Sequence, residues 1–178
     1  MQPPRLFWAV AAVLVGALLL PGSAAAQFGA KTKFLGGHLG VSGVGSAAAL
    51  GVNGEVAYNK NIGIGAWADT WSYGDSYTTA LGNYDWNVRY VALAGTGSYH
   101  FPIKSTPKLD PFLGLALGYY IVSSSAEGFS GVSYAGSASR LFLGGFGGAR
   151  YFFSDNLAGV GRLGFGASYL TLGLDFKM

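Results

Sequence analysis

The stretch Pro111-Phe112-Leu113-Gly114-Leu115-Ala116-Leu117-Gly118-Tyr119-Tyr120-Ile121-Val122 decides how the chain folds. Leu113, Leu115, Leu117, Tyr119 and Ile121 share one parity, and Phe112, Gly114, Ala116 and Gly118 share the other. A period of two is the period of a β-strand, whose successive side chains point to opposite faces. Seven other segments follow the same rule, at 33–42, 50–58, 62–70, 88–101, 140–153, 157–165 and 169–176. In each, one face is apolar and free of charge through its middle. The opposite face carries Glu55, Asp69, Arg150, Arg162 and Asp175, together with hydroxyls and glycines.

The connectors alternate in character. Asn59-Lys60-Asn61 and Ser154-Asp155-Asn156 are short and rich in Asn and Asp, as tight turns favour. Pro102 and Pro107 keep 102–110 out of a paired central strand. At the opposite ends lie Trp71–Trp86 and Ser123–Ser139, rich in Ser, Gly and Tyr and expected to be long loops, with shorter links at 43–49 and 166–168. Short turns on one rim and long loops on the other predict an all-β, eight-stranded, antiparallel, up-and-down barrel.

Composition narrows the class. The chain has 178 residues, of which 51% are hydrophobic and only 11% charged, with 30 glycines and 15% aromatics. Disordered chains are poor in aromatics and rich in charge, so disorder is excluded. The absence of cysteine excludes a disulfide scaffold and thiolate metal sites. A net charge of +3 is too small and too scattered for a nucleic-acid partner. Arg5, the apolar run Leu6–Leu20, the breaker Pro21-Gly22 and the small residues Ala24-Ala25-Ala26 read as a signal peptide over 1–26. That run is short of the about 20 residues a transmembrane helix needs. The chain is therefore expected to be exported, with residues 27–178 forming the barrel.

Alternation alone does not separate a membrane barrel from a soluble one with its apolar face inside. Three features favour lipid. The charge-bearing face is too poor in Lys and Glu to be a soluble surface. Aromatics gather where strands reach the tight-turn rim, at Tyr58, Tyr99, Phe101, Tyr151, Phe153 and Phe176, as an interfacial girdle requires. All six lysines, Lys31, Lys33, Lys60, Lys104, Lys108 and Lys177, fall at that rim or the chain ends. A closed antiparallel sheet also satisfies every backbone group in lipid.

With these residues the chain resembles the small outer-membrane β-barrel proteins of Gram-negative bacteria, the porin-family group that includes OmpA/OmpX-type barrels. The resemblance spans the mature chain and is clearest in Asp110–Tyr119, Gly147–Leu157 and the closing Leu172-Gly173-Leu174-Asp175-Phe176. It implies an outer-membrane location, a lipid environment and a C-terminal signal, Leu172, Leu174 and Phe176, read by the barrel-assembly machinery. Lys177 and Met178 follow the Phe, where many members stop. The resemblance identifies architecture rather than activity, since its members range from tethers and adhesins to ligand barrels and enzymes.

The chemistry-bearing residues are few. His38 beside Ser42 and His100 beside Ser98 have the residue types of a hydrolytic pair, but hydrogen bonding inside the lumen is the simpler reading. Gly144-Gly145-Phe146-Gly147-Gly148 lacks the Lys and helix of a phosphate-binding loop. Asp75 and Asp85 are weak candidates for holding a cation. Trp71, Tyr73, Tyr77, Tyr84 and Trp86 are candidate surface contacts for an extracellular ligand, with an interfacial belt as the alternative. No catalytic residue, resident metal or cofactor is expected, and the protein is expected to be a monomer.

Glu55 and Arg150 each lie four residues before a tight turn, on the second and sixth strands, which stand opposite each other in an eight-stranded barrel. They are expected to meet as an ion-pair plug, with Arg162 joining from the seventh strand. A structural or surface-interaction barrel with a filled lumen is therefore the leading expectation. Binding of a small hydrophobic ligand beside Trp67, Phe112, Phe142 and Phe146 comes second, and lipid hydrolysis third.

Overall fold

The computed structural model describes residues 28–79, 82–127 and 133–178, so the signal-peptide reading of 1–26 lies outside the described residues. Eight strands appear in chain order: β1 Lys33–Ser42, β2 Ala48–Ala57, β3 Ile62–Thr79, β4 Gly82–His100, β5 Leu109–Glu127, β6 Ser133–Phe152, β7 Leu157–Phe165 and β8 Ser168–Lys177. Each pairs antiparallel with its neighbours, and β1 pairs with β8 to close the barrel.

The faces follow the parity read from the sequence. Leu113, Leu115 and Leu117 are exposed on the outer surface while Phe112 and Ala116 are buried inside, and Leu35, Val52, Ile64, Leu143 and Leu163 continue the outer band. Burying such side chains in lipid is favourable by ~25 cal/mol per Å² of apolar surface removed from water. The band has a defined upper end. Outward residues change from apolar to polar at Ala68/Thr70, Val91/Arg89, Ile121/Ser123 and Leu141/Ser139, and the register aligns Thr70 with Val91, Val91 with Ile121, and Ile121 with Ser139.

The long connectors are corrected. Most of Trp71–Trp86 and Ser123–Ser139 is strand, because β3 to β6 run 18, 19, 19 and 20 residues. β2 leaves β3 after Leu50–Thr70, and β7 leaves β6 after Gly145–Phe165, but the four middle strands stay paired through Asp75–Trp86, Asp85–Glu127 and Ser125–Ala135. Beyond lipid the outer face no longer needs aliphatic residues. Ser, Thr and Tyr there satisfy the ladder while removing the apolar alternation by which a strand is recognised. The result is a four-stranded sheet projecting on the order of 25 Å along the strands, at ~3.3 Å per residue.

The lumen is filled in layers. Nearest the short turns, Phe28, Phe34, Ala57, Phe152 and Ala158 form an apolar floor. A polar layer lies above it. At the other end Ala49, Trp71, Ala92, Tyr120 and Ala167 form a second apolar cluster, joined by Tyr73, Tyr90 and Phe142.

A closed barrel has no edge from which to unzip. Unboiled protein should therefore migrate faster than boiled protein on detergent gels, and identical migration would contradict closure.

Candidate functional site: a buried charge network in the lumen

Arg150, on β6, enters the lumen two residues before the floor residue Phe152, whose inward parity it shares, and is 2% exposed. Its Nη2 donates to Glu55 Oε2, its Nε to Asp175 Oδ2 at 2.6 Å, and its Nη1 to Asp110 Oδ2 at 3.4 Å. The ring of Phe34 lies 4.2 Å from the guanidinium carbon, adding a cation–π contact. Four strands converge on one cation, so β2, β5, β6 and β8 are tied together across the interior.

His100 continues the network toward the short-turn rim. Its Nδ1 lies 2.7 Å from Asp110 Oδ1, and its Nε2 lies 3.1 Å from both Glu55 Oε1 and Ser98 Oγ. The Ser98 hydroxyl donates to Glu55 Oε1. Residue types of a nucleophile, base and acid are thus adjacent, but the hydroxyl is committed to a carboxylate, and Phe28 stacks over the ring with centroids 3.5 Å apart.

A second polar cluster sits higher. His38 Nε2 lies 2.7 Å from Asp69 Oδ1 and its Nδ1 lies 3.1 Å from Asn53 Oδ1, while Asn53 Nδ2 donates to Asp175 Oδ1 at 2.9 Å. Asn53 therefore links the two clusters. Ser42 is not the partner of His38; it bonds the backbone of Val44 and Ala47 in the β1–β2 turn. Glycines make the room. A Cβ at Gly63 would collide with Glu55 and Ser98, and one at Gly51 with Asp69 and His38.

The expected pair of Glu55 and Arg150 is present. Arg162 does not reach Glu55; it donates to Asn53 Oδ1 at 3.4 Å and to Asp175 Oδ2 at 3.5 Å, so it joins the network through Asp175. Asp110 was read as part of a turn. It lies on β5 with the inward parity of Phe112, a signal that starting the strand two residues earlier, at Leu109, exposes. The inward rings fill space against one another, with Trp67–Phe146 centroids 5.1 Å apart and Tyr120–Phe142 centroids 4.4 Å apart. Two cavities of about 20 Å³ each touch Arg162, room for roughly one water apiece.

The remaining residues divide. Tyr58, Tyr99, Phe101 and Phe176 are exposed on the outside near the short turns, with Tyr151 partly so. Phe153 is 5% exposed, because its ring packs against Gly159 beside Tyr151. Leu172 and Phe176 face outward on β8. Trp71 is corrected as a surface contact: it is 3% exposed and stacks on Tyr90 inside the upper mouth. Tyr73 packs edge-on against Trp86 and face-on against Tyr90, on the inner side of the projecting sheet. Tyr77 and Tyr84 are paired across the β3–β4 hairpin. Asp75 pairs with Trp86 and Asp85 with Ser76, so the two aspartates point to opposite faces and cannot share a cation.

A closed up-and-down sheet with an aliphatic exterior and a charged, filled interior defines the class: a small eight-stranded antiparallel β-barrel. Three solved structures share the fold. The N-terminal β-barrel domain of OprF from Pseudomonas aeruginosa is 13% identical, with a TM-score of 0.58 over 84% of this chain and 99% of that one. Ail, the attachment invasion locus protein of Yersinia pestis, is 10% identical, with a TM-score of 0.55 over 84% and 99%. A de novo designed transmembrane β-barrel is 13% identical, with a TM-score of 0.51 over 84% and 97%. No protein-family model matches the sequence, and no curated protein sequence matches it.

Removing Arg150 should harm the barrel most. Arg150→Met deprives three carboxylates of their shared cation and should cost about 3–5 kcal/mol. Glu55→Gln should cost less, since Asp175 and Asp110 still hold the guanidinium. The double variant should fall short of the sum of the singles. Unfolding in detergent measures all three, and strict additivity would mean that Glu55 and Arg150 do not interact.

Proposed function

We propose that the protein is an integral outer-membrane barrel with a structural and surface-interaction role, and that its lumen is a plug rather than a pore. The observation carrying this reading is the contrast between the two ends of one fold. The interior is occupied by a cross-barrel charge network, while β3 to β6 continue past the apolar band as a sheet whose two edges are unpaired among the described residues. Unpaired edges offer backbone donors and acceptors that can bind an extended segment of another chain. Material spent above the membrane, with none spent on a channel, suits a protein that acts by contact.

In this reading the projecting sheet is extracellular and the short turns are periplasmic. The signal peptide directs export, and the closing Leu172, Leu174 and Phe176 engage the assembly machinery. Lipid is the standing partner of the outer face, the barrel works as a monomer, and no step is catalysed. Two measurements test the proposal. In planar bilayers the purified protein should show no steady open channels, and sustained conductance would rule out the plug. Cysteine placed at Ser76 or Ser137 should react with an impermeant reagent on intact cells while cysteine at Lys60 should not; the reverse pattern would overturn the orientation.

A further inference from the structure

We propose that residues 28–32 form a hinged stopper over the short-turn mouth of the lumen, guarding the acid–base group of His100, Asp110, Glu55 and Ser98. Four members of the apolar floor, Phe34, Ala57, Phe152 and Ala158, belong to paired strands. The fifth, Phe28, comes from the segment preceding β1. Its ring lies within 5° of parallel to the His100 ring with centroids 3.5 Å apart, and stacks on Phe34 at 6.2 Å. Only about 10 Å³ of space is left where Phe28, His100, Asp110 and Lys60 meet, at the lower limit for one water. Phe28 is thus what makes this end of the network dry.

The segment is built to hinge. Thr32 N donates to Gly29 O at 3.1 Å and Ala57 N donates to Thr32 O at 2.8 Å, so the strap is anchored at its β1 end. Within the turn that the Thr32–Gly29 bond closes, Lys31 adopts φ of +71°, a left-handed conformation that costs an L-residue with a Cβ. That strain is held in the turn while the strap is folded back into the mouth, and opening the turn by breaking the Thr32–Gly29 bond relieves it as the strap swings out. The ring contacts hold it in, and the backbone pulls against them. When the strap is out, the first groups that water and small solutes meet are His100 and Asp110, beside the Lys60 ammonium at the rim.

The two histidines provide the test. Both are buried, but His100 lies under the stopper while His38 lies above the Arg150 layer. Diethyl pyrocarbonate modification of the full chain in detergent, mapped by peptide mass, should be slow at both. Phe28→Ala should speed modification of His100 by about tenfold, equivalent to about 1.4 kcal/mol of lost ring packing, and leave His38 unchanged. Lys31→Gly, which removes the strain, should slow His100 below the parent rate. Unchanged His100 rates in the two variants would overturn the proposal. If Phe28→Ala accelerates both histidines together the barrel itself has loosened, and the Lys31→Gly rate then decides: slower supports the stopper, equal overturns it.

Discussion

The burial of one guanidinium governs this molecule. Arg150 sits where neither water nor lipid can solvate it, and an unpaired charge there would be prohibitive. It is tolerable because Glu55, Asp110 and Asp175 reach it from three other strands. The requirement runs both ways. Each carboxylate needs the cation, and the strands that carry them must hold their register for the contacts to form. A slip of one residue in β6 would turn Arg150 into lipid and Tyr151 into the lumen. The network therefore selects the register of a glycine-rich strand whose own side chains specify it weakly.

Glycine is the other half of the arrangement. Eight strands enclose an interior only just wide enough for side chains. Two histidines, two arginines, four carboxylates and several rings fit because inward positions such as Gly51 and Gly63 carry no Cβ. Large and small residues alternate around the inside, so bulk on one strand lies against empty space on the next. Polar density and glycine content are one design, and neither works without the other.

The two ends serve different purposes. Toward the short turns the lumen ends in a compact apolar floor completed by Phe28. Toward the long strands it ends under the stacked rings of Trp71 and Tyr90, with Tyr120 edge-on to both, and these rings also form the base of the projecting sheet. The sheet thus stands on the same aromatic cluster that closes the barrel, and it needs no separate core. Its length comes from backbone pairing continued beyond lipid.

Inside-outside alternation was legible from the residues because lipid and lumen make opposite demands on successive side chains, and Leu113 to Ile121 answer one while Phe112 to Ala116 answer the other. Counting four residues back from two tight turns was enough to place Glu55 and Arg150 at one height, since strand number and turn position fix height in a closed barrel. Other features were not legible. Asp110 looked like a turn residue, and its role depends on β5 starting at Leu109 rather than beyond it. Trp71 looked like a loop aromatic, because Ser- and Tyr-rich strands outside lipid lose the apolar period while keeping the ladder. The sequence by itself determined which face each residue takes, a matter of parity. Only the tertiary structure decided which of the other inward residues meet, because partners distant in sequence, such as Asn53 and Asp175, or the Phe28 ring and His100, are chosen by barrel closure and by the small volume inside it.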